Sequence, residues 1–149
     1  MIESKIENDL KKAMLAQDKS LISALRNIKA TILNKKIELN NRADVLDDKI
    51  IIELLSKEAK KRQDSADLYI QGDRPEKADA EIYEKKIIEG YLPEQLSSKE
   101  LEEIIDKEIS LQGKDIAKLG SIIQAIKLKT LGQADLSSIA KIIKEKLTK

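Results

Sequence analysis

The only periodicity in this 149-residue chain is that of the α-helix, with apolar residues recurring every three or four positions from one end to the other. Nowhere do four or more residues alternate apolar and polar in a β-branched and aromatic setting, and the absence of Phe and Trp removes the usual strand formers. The fold class is therefore all-α. Seven helices are expected. The first carries Ile2, Ile6, Leu10 and Met14 and stops near Asp18, which can cap the next. The second runs from about Lys19 to Leu39 with Leu21, Leu25, Ile28, Ile32 and Leu39 along one stripe, and a polar loop Asn40-Asn41-Arg42 follows. The third starts after Asp47 or Asp48 and reaches about Ile70, where Gln71-Gly72-Asp73 breaks it; Pro75 then opens the fourth.

Pro93 is expected to end the fourth helix, because a proline disfavours α conformation at the residue before it, here Leu92. Leu92-Pro93-Glu94-Gln95-Leu96 then reads as a joint. Immediately beyond it, Ser97-Ser98-Lys99-Glu100 has the spacing of a capping box and starts a fifth helix with Leu101, Ile104, Ile105 and Glu108, ending at Gly113. A sixth, from about Asp115 to Thr130, carries Ile116, Leu119, Ile123 and Ile126, and ends at Gly132. The seventh is capped by Asp135 and carries Ile139, Ile142, Ile143 and Leu147. The expected organisation is an N-terminal four-helix part, residues 1–92, and a C-terminal three-helix bundle, residues 97–149, joined by a linker at Pro93.

Chemistry is limited by what the side chains lack. With no His and no Cys, the commonest general base and the usual zinc and thiolate ligands are gone, along with any disulfide framework. There is no Gly-x-Ser-x-Gly elbow, no Gly-x-x-x-x-Gly-Lys phosphate loop and no Gly-x-Gly-x-x-Gly fingerprint. Asp47-Asp48 and Glu102-Glu103 read as helix-start charges and solvated faces, since neither has the spacing of a cation loop. No catalytic residue, metal or cofactor is expected. The opening MIESKIENDLKK mixes charges where a signal peptide would be apolar, and no segment approaches the ~20 apolar residues that cross a bilayer. A cytoplasmic, membrane-free protein is the expectation.

A net charge of +1 conceals segregation. Between Lys11 and Arg42 eight Lys/Arg face two Asp/Glu, and from Lys114 to Lys149 eight face three. The stretches between are acidic, nine against thirteen from Ala43 to Gly90 and two against six from Tyr91 to Gly113. Two basic regions suit an anionic partner contacted at two places, although a bias toward Ile and Lys across the whole chain would give the same counts.

Charges also fall where the helical wheel wants apolar groups. On the third helix Glu58 and Arg62 lie inside the arc of Ile51, Leu54, Leu55, Ala66 and Tyr69, four apart and in the order that favours a pair. On the second, Lys29 and Lys36 lie within the arc of Ile22, Leu25, Ile32 and Leu33, with Arg26 at its edge. Buried charges left unpaired cost several kcal/mol, so the fold should supply partners. Two readings stand: an ion network stitching the second helix to the third, or a polar groove that receives a phosphate or a partner's charged group.

The order of motifs resembles the YqeY family. Leu25-Arg26-Asn27-Ile28-Lys29-Ala30 is similar to its Leu-Arg-x-x-Lys-Ala helix, Lys57-Glu58-Ala59-Lys60-Lys61-Arg62-Gln63-Asp64-Ser65 to its second signature, and Tyr91-Leu92-Pro93-Glu94-Gln95-Leu96 to its most recognisable one. Lys118-Leu119-Gly120-Ser121-Ile122-Ile123 and Gly132-Gln133-Ala134-Asp135 resemble its Gly-x-x-Met and Gly-x-Ala-Asp elements, with Ile123 in place of Met. The resemblance implies a larger N-terminal bundle and a three-helix C-terminal bundle shared with the tail of the glutamyl-tRNA amidotransferase B subunit, a tail thought to contact tRNA. Stand-alone members carry a carbon-nitrogen ligase label with glutamine as amido-N-donor. The amidase nucleophile of that enzyme lies on a different subunit and the phosphorylating site on a different domain, so the resemblance implies no catalysis by this chain alone.

The leading expectation is an accessory module that binds tRNA or another structured RNA through Lys118, Lys129, Lys141 and Lys144, with Arg26 and Lys29 as a second contact. Only three aromatics exist, Tyr69, Tyr83 and Tyr91, so phosphate and shape, not base stacking, would carry recognition. The rivals are a protein-interaction module docking on an enzyme complex, and a detached subunit taking part in amide transfer. Nothing in the pattern assigns an oligomeric state.

Overall fold

A computed structural model describes residues 1–40 and 45–149. The described residues are all-α, with seven α-helices: α1 (Ile2–Leu15), α2 (Lys19–Glu38), α3 (Asp48–Gln71), α4 (Pro75–Glu89), α5 (Ser98–Gln112), α6 (Leu119–Lys129) and α7 (Leu136–Thr148). A single 3₁₀ turn, Ile116–Lys118, precedes α6. The fold divides into two compact units, Met1–Leu92 and Pro93–Lys149. Of the polar loop expected after α2, Asn41 and Arg42 lie outside the described residues.

In the N-terminal unit the core is built from Ile6 and Ala13 of α1, Leu25, Ile28 and Ile32 of α2, Leu46, Ile51, Leu55 and Ala59 around α3, and Ile88 of α4. The stripe on α1 is narrower than its spacing suggests: Met14 is exposed and Ala13 takes the buried place. Leu39, at the far end of the α2 stripe, is exposed as well. Two turns close in the same way. At the end of α1, Gln17 adopts φ 57° while its N–H donates to the Met14 carbonyl and that of Asp18 to Ala13. At the end of α3, Asp73 adopts φ 56°, with its N–H on Ile70 and that of Arg74 on Tyr69. Each is a left-handed helix stop built without glycine at the left-handed position; Gly72 itself has a negative φ. Asp18 then serves twice, because its carboxylate caps α2 by accepting from the Leu21 N–H.

Helix α4 stops at Gly90, three residues before the proline expected to end it. Its last N–H groups, on Tyr91 and Leu92, turn back onto Ile88 and Glu89. Pro93 therefore follows a finished helix.

The C-terminal unit packs Leu101 and Ile105 of α5, Ile122 and Ile126 of α6, and Ile139, Ile143 and Leu147 of α7 around one centre. Ser97 and Asp135 cap α5 and α7 as their spacing requires. The sixth helix differs from expectation. Its first turn is 3₁₀, at three residues per turn, which shifts the phase of everything before Leu119. Ile116 is accordingly exposed, and Ile122, absent from the expected stripe, is fully buried.

Candidate functional site

Of the four lysines proposed on the C-terminal unit, Lys129 stands apart. Its ammonium lies 2.6 Å from the Glu108 carboxylate, which is 6% exposed and also accepts from Gln112 Nε2 at 2.6 Å. Gln112 Oε1 in turn accepts from the Ser121 hydroxyl at 2.6 Å. The chain Lys129–Glu108–Gln112–Ser121 joins α6 to α5, so the buried charge that the wheel put on the apolar side of α5 is satisfied. The hydrogen bonds from Lys129 and Gln112 hold the Glu108 carboxyl below its ordinary range. A carboxyl depressed in the fold adds stability that is complete above the unfolded value of about 4.3 and is lost as pH falls through the folded one. Glu108→Gln should therefore lower the melting temperature most near pH 7, with the gap closing toward pH 3. A pH-independent gap would mean that the carboxylate charge contributes nothing.

Lys118, Lys141 and Lys144 are exposed, and among the described residues none makes an ion pair. Lys118 belongs to the 3₁₀ turn that precedes α6, not to α6 itself. On α7, Ser137, Lys141, Lys144 and Thr148 are spaced four, three and four apart and are all exposed. They form a polar stripe that excludes the buried Ile139, Ile143 and Leu147. Lys146, on another side of α7, is bound to Asp106 at 3.0 Å.

In the N-terminal unit Arg26 and Lys29 do not share a site. Arg26 lines an open groove of about 600 Å³ with Lys19, Ser23 and Asn27. Lys29 lines a different one, near 320 Å³, and lies 3.9 Å from Glu7. Lys36 is bound to Glu3, both nearly buried, and the second oxygen of Glu3 accepts from the Leu46 N–H at 3.1 Å. Lys29 and Lys36 thus pair with α1, not with α3 as the stitching expectation had it.

The pair on α3 is real but incomplete in sequence. Arg62 is 3.5 Å from Glu58, and it also lies 3.1 Å from Glu81 and 3.4 Å from Glu84, both on α4. Asn27 of α2 donates to Glu84 at 3.1 Å. Burial disfavours the guanidinium charge, yet the hydrogen bond to Glu81 and the charges of Glu81, Glu84 and Glu58 outweigh it and raise its pKa. The cavity beside this cluster is only about 10 Å³, too small for any ligand larger than water. The cluster is an ion network, and the second helix joins it through Asn27. Glu81, Glu84 and Asn27 were missed because nothing in the local spacing of α3 points to α4.

Two motifs far apart in sequence turn out to be one feature. Gln95 Nε2 donates to the Gly132 carbonyl at 2.6 Å, and the Leu96 N–H donates to the Gln133 carbonyl at 2.8 Å. Gly132 has φ 74°, a left-handed conformation that favours glycine at the corner. Tyr91, at the head of the same motif, is held in the N-terminal unit by a 2.6 Å hydrogen bond from its hydroxyl to Asp9. Burial, reinforced by the Asp9 hydrogen bond and charge, raises the phenol pKa well above its usual value. Among the described residues no group of three or more Asp or Glu is placed to hold a metal ion.

These motifs meet a direct match. The family model described as Yqey-like protein matches residues 3–147. The chain belongs to the YqeY family. Three curated relatives share the printed name "Altered inheritance of mitochondria protein 41, mitochondrial". That of Kluyveromyces lactis is 33% identical over 58% of this chain and 45% of its own length. That of Vanderwaltozyma polyspora is 31% identical over 74% of this chain and 64% of its own, and that of Saccharomyces cerevisiae 32% over 66% and 52%. The matches cover about half to two thirds of these YqeY-like relatives. The expected cytoplasmic location is overturned by them, since they are named as mitochondrial proteins. The expectation rested on missing targeting and apolar segments, and that no helix among the described residues is long and apolar enough to cross a membrane specifies no compartment.

Proposed function

We propose that this YqeY chain is a non-catalytic accessory module that binds structured RNA, tRNA foremost, by its phosphates. The observation that carries the reading is the α7 stripe, where Lys141 and Lys144 stand exposed beside Ser137 and Thr148 with no acidic partner among the described residues. Exposed lysines are often merely solvated; what favours a phosphate contact is that Lys129 and Lys146 on the same unit are neutralised by Glu108 and Asp106 while this face is not. Lys118 is a further free cation of the unit. All three tyrosines lie in the N-terminal unit, so base stacking has no platform here. The resemblance to the amidotransferase B-subunit tail points the same way.

The test is binding of total tRNA measured by fluorescence anisotropy across a salt series. Affinity should fall with salt, and Lys141→Glu with Lys144→Glu should weaken it at least tenfold while lowering the log–log slope by about 2, one for each phosphate no longer neutralised. Both side chains are exposed, so the melting temperature should hold. If the wild type binds tRNA no better than a neutral helical protein at low salt, or if the reversal changes nothing, the protein-docking reading takes its place. Leu111 and Leu128, at 77% and 70% exposure on the same unit, favour that second reading.

A further inference from the structure

A groove of about 470 Å³ runs along one face of α1 in the N-terminal unit, with Ala13, Leu21 and Ile87 among its apolar lining. Lys5, Asp9 and Lys12 of α1 line it at intervals of four and three, and Lys86 reaches it from α4. Asp9 and Asp18 also border it, so the lining holds three cations against two carboxylates. Both carboxylates are already engaged. Asp9 accepts the Tyr91 hydroxyl, and Asp18 accepts the Leu21 N–H at the start of α2. Neither Lys12 nor Lys86 makes an ion pair among the described residues, and Lys5 stands over the Tyr91 ring, 5.5 Å from its centroid.

The groove thus carries a net single positive charge above an apolar surface, with both carboxylates turned onto neutral donors and two lysines left without an ion pair, at a volume within the range of small-molecule sites. Its cations are all lysines, flexible point charges of the kind that commonly bind phosphate and can converge on one group from two helices. We propose that this groove is a phosphate-binding site, in which Lys5, Lys12 and Lys86 surround one phosphate group and its organic substituent lies on Ala13, Leu21 and Ile87. The Tyr91 ring positions Lys5, and Asp9 fixes that ring through its hydroxyl. The site is separate from the α7 stripe and stands whether or not the RNA reading does.

The experiment is a titration of the isotope-labelled full chain with pyrophosphate at low salt, followed by backbone amide NMR, then repeated with adenosine 5′-monophosphate and with a short single-stranded RNA. Saturable shifts concentrated at Lys12, Ala16, Gly90 and Tyr91 are expected. The double substitution Lys12→Ala and Lys86→Ala should weaken binding about tenfold, the scale for removing two unpaired charges beside an anion. Lys141→Ala with Lys144→Ala should leave it unchanged, which separates this site from the stripe. A response to the mononucleotide at lower concentration than to pyrophosphate marks a free phosphate ester as the ligand; a response to the oligonucleotide with none to the mononucleotide marks an RNA backbone phosphate. Shifts that never saturate and spread over the lysines of both units would overturn the proposal, as would an unchanged affinity in the Lys12/Lys86 variant.

Discussion

Arg62→Ala is expected to destabilise the N-terminal unit by about 2 to 3 kcal/mol, between the cost of breaking a buried pair and that of a surface one, because the cluster is half-buried. The loss is large because Arg62 is shared. Its guanidinium lies within 3.5 Å of Glu58, Glu81 and Glu84, whose side chains are 16%, 18% and 23% exposed. Without the cation, three like charges converge with only the exposed Lys61, 3.5 Å from Glu58, to offset them, and α3 and α4 lose a group that joins them on this face. Arg62→Lys should recover only part of the loss, since an ammonium keeps the charge but cannot direct separate N–H groups at separate carboxylates. Glu81→Gln with Glu84→Gln in the Arg62→Ala background should recover more, because it removes the repulsion itself. Urea denaturation with an unchanged slope is the measurement. A cost under about 0.5 kcal/mol for Arg62→Ala would show that the cluster behaves as a solvated surface pair.

That cluster also shows where sequence reading succeeds and where it stops. Glu58 and Arg62 were legible because a spacing of four on one helix is a local relation, and the caps Asp18, Asp47, Ser97 and Asp135 were legible for the same reason. The carboxylates on α4 and the amide of Asn27 were not, because pairing between helices depends on crossing geometry that no single wheel contains. The same limit explains Lys129. Sequence offers it as an RNA contact and puts Glu108 with the apolar residues of the fifth helix, and only packing brings the two to 2.6 Å. The error at the sixth helix is different in kind. One 3₁₀ turn at Ile116–Lys118 rotated the stripe, and the composition of that turn carries no mark that separates it from an α-helical start. The signature motifs are local strings whose structural part is not local: Gln95 and Leu96 bind the corner at Gly132 and Gln133, a reason for both motifs that needs no ligand.

The second large effect belongs to the C-terminal unit. Ile126 is fully buried at the centre of a seven-residue core, and Ile126→Ala should cost about 3 kcal/mol, within the range of 2 to 5 for truncating a buried branched side chain. A unit of this size, residues 93–149, buries only about 60% of its unfolded surface and has little stability to spare. Losing that amount should leave it substantially unfolded at 37 °C, where a comparable cavity in a larger core would be tolerated. Thr130 adds to the cost, because its buried hydroxyl donates to the Ile126 carbonyl and its own carbonyl accepts from the Gln133 N–H, so a shift of α6 at this point disturbs the corner that Gln95 clasps. Hydrogen exchange resolves the effect by region. In the Ile126→Ala protein, amides of α5, α6 and α7 should lose their protection, while those of α2 and α3 keep theirs, as the separate packing of residues 1–92 and 93–149 requires. Equal loss of protection in Leu25 and Leu55 would mean that the whole chain unfolds as one cooperative body, and that the two units are not independent in stability.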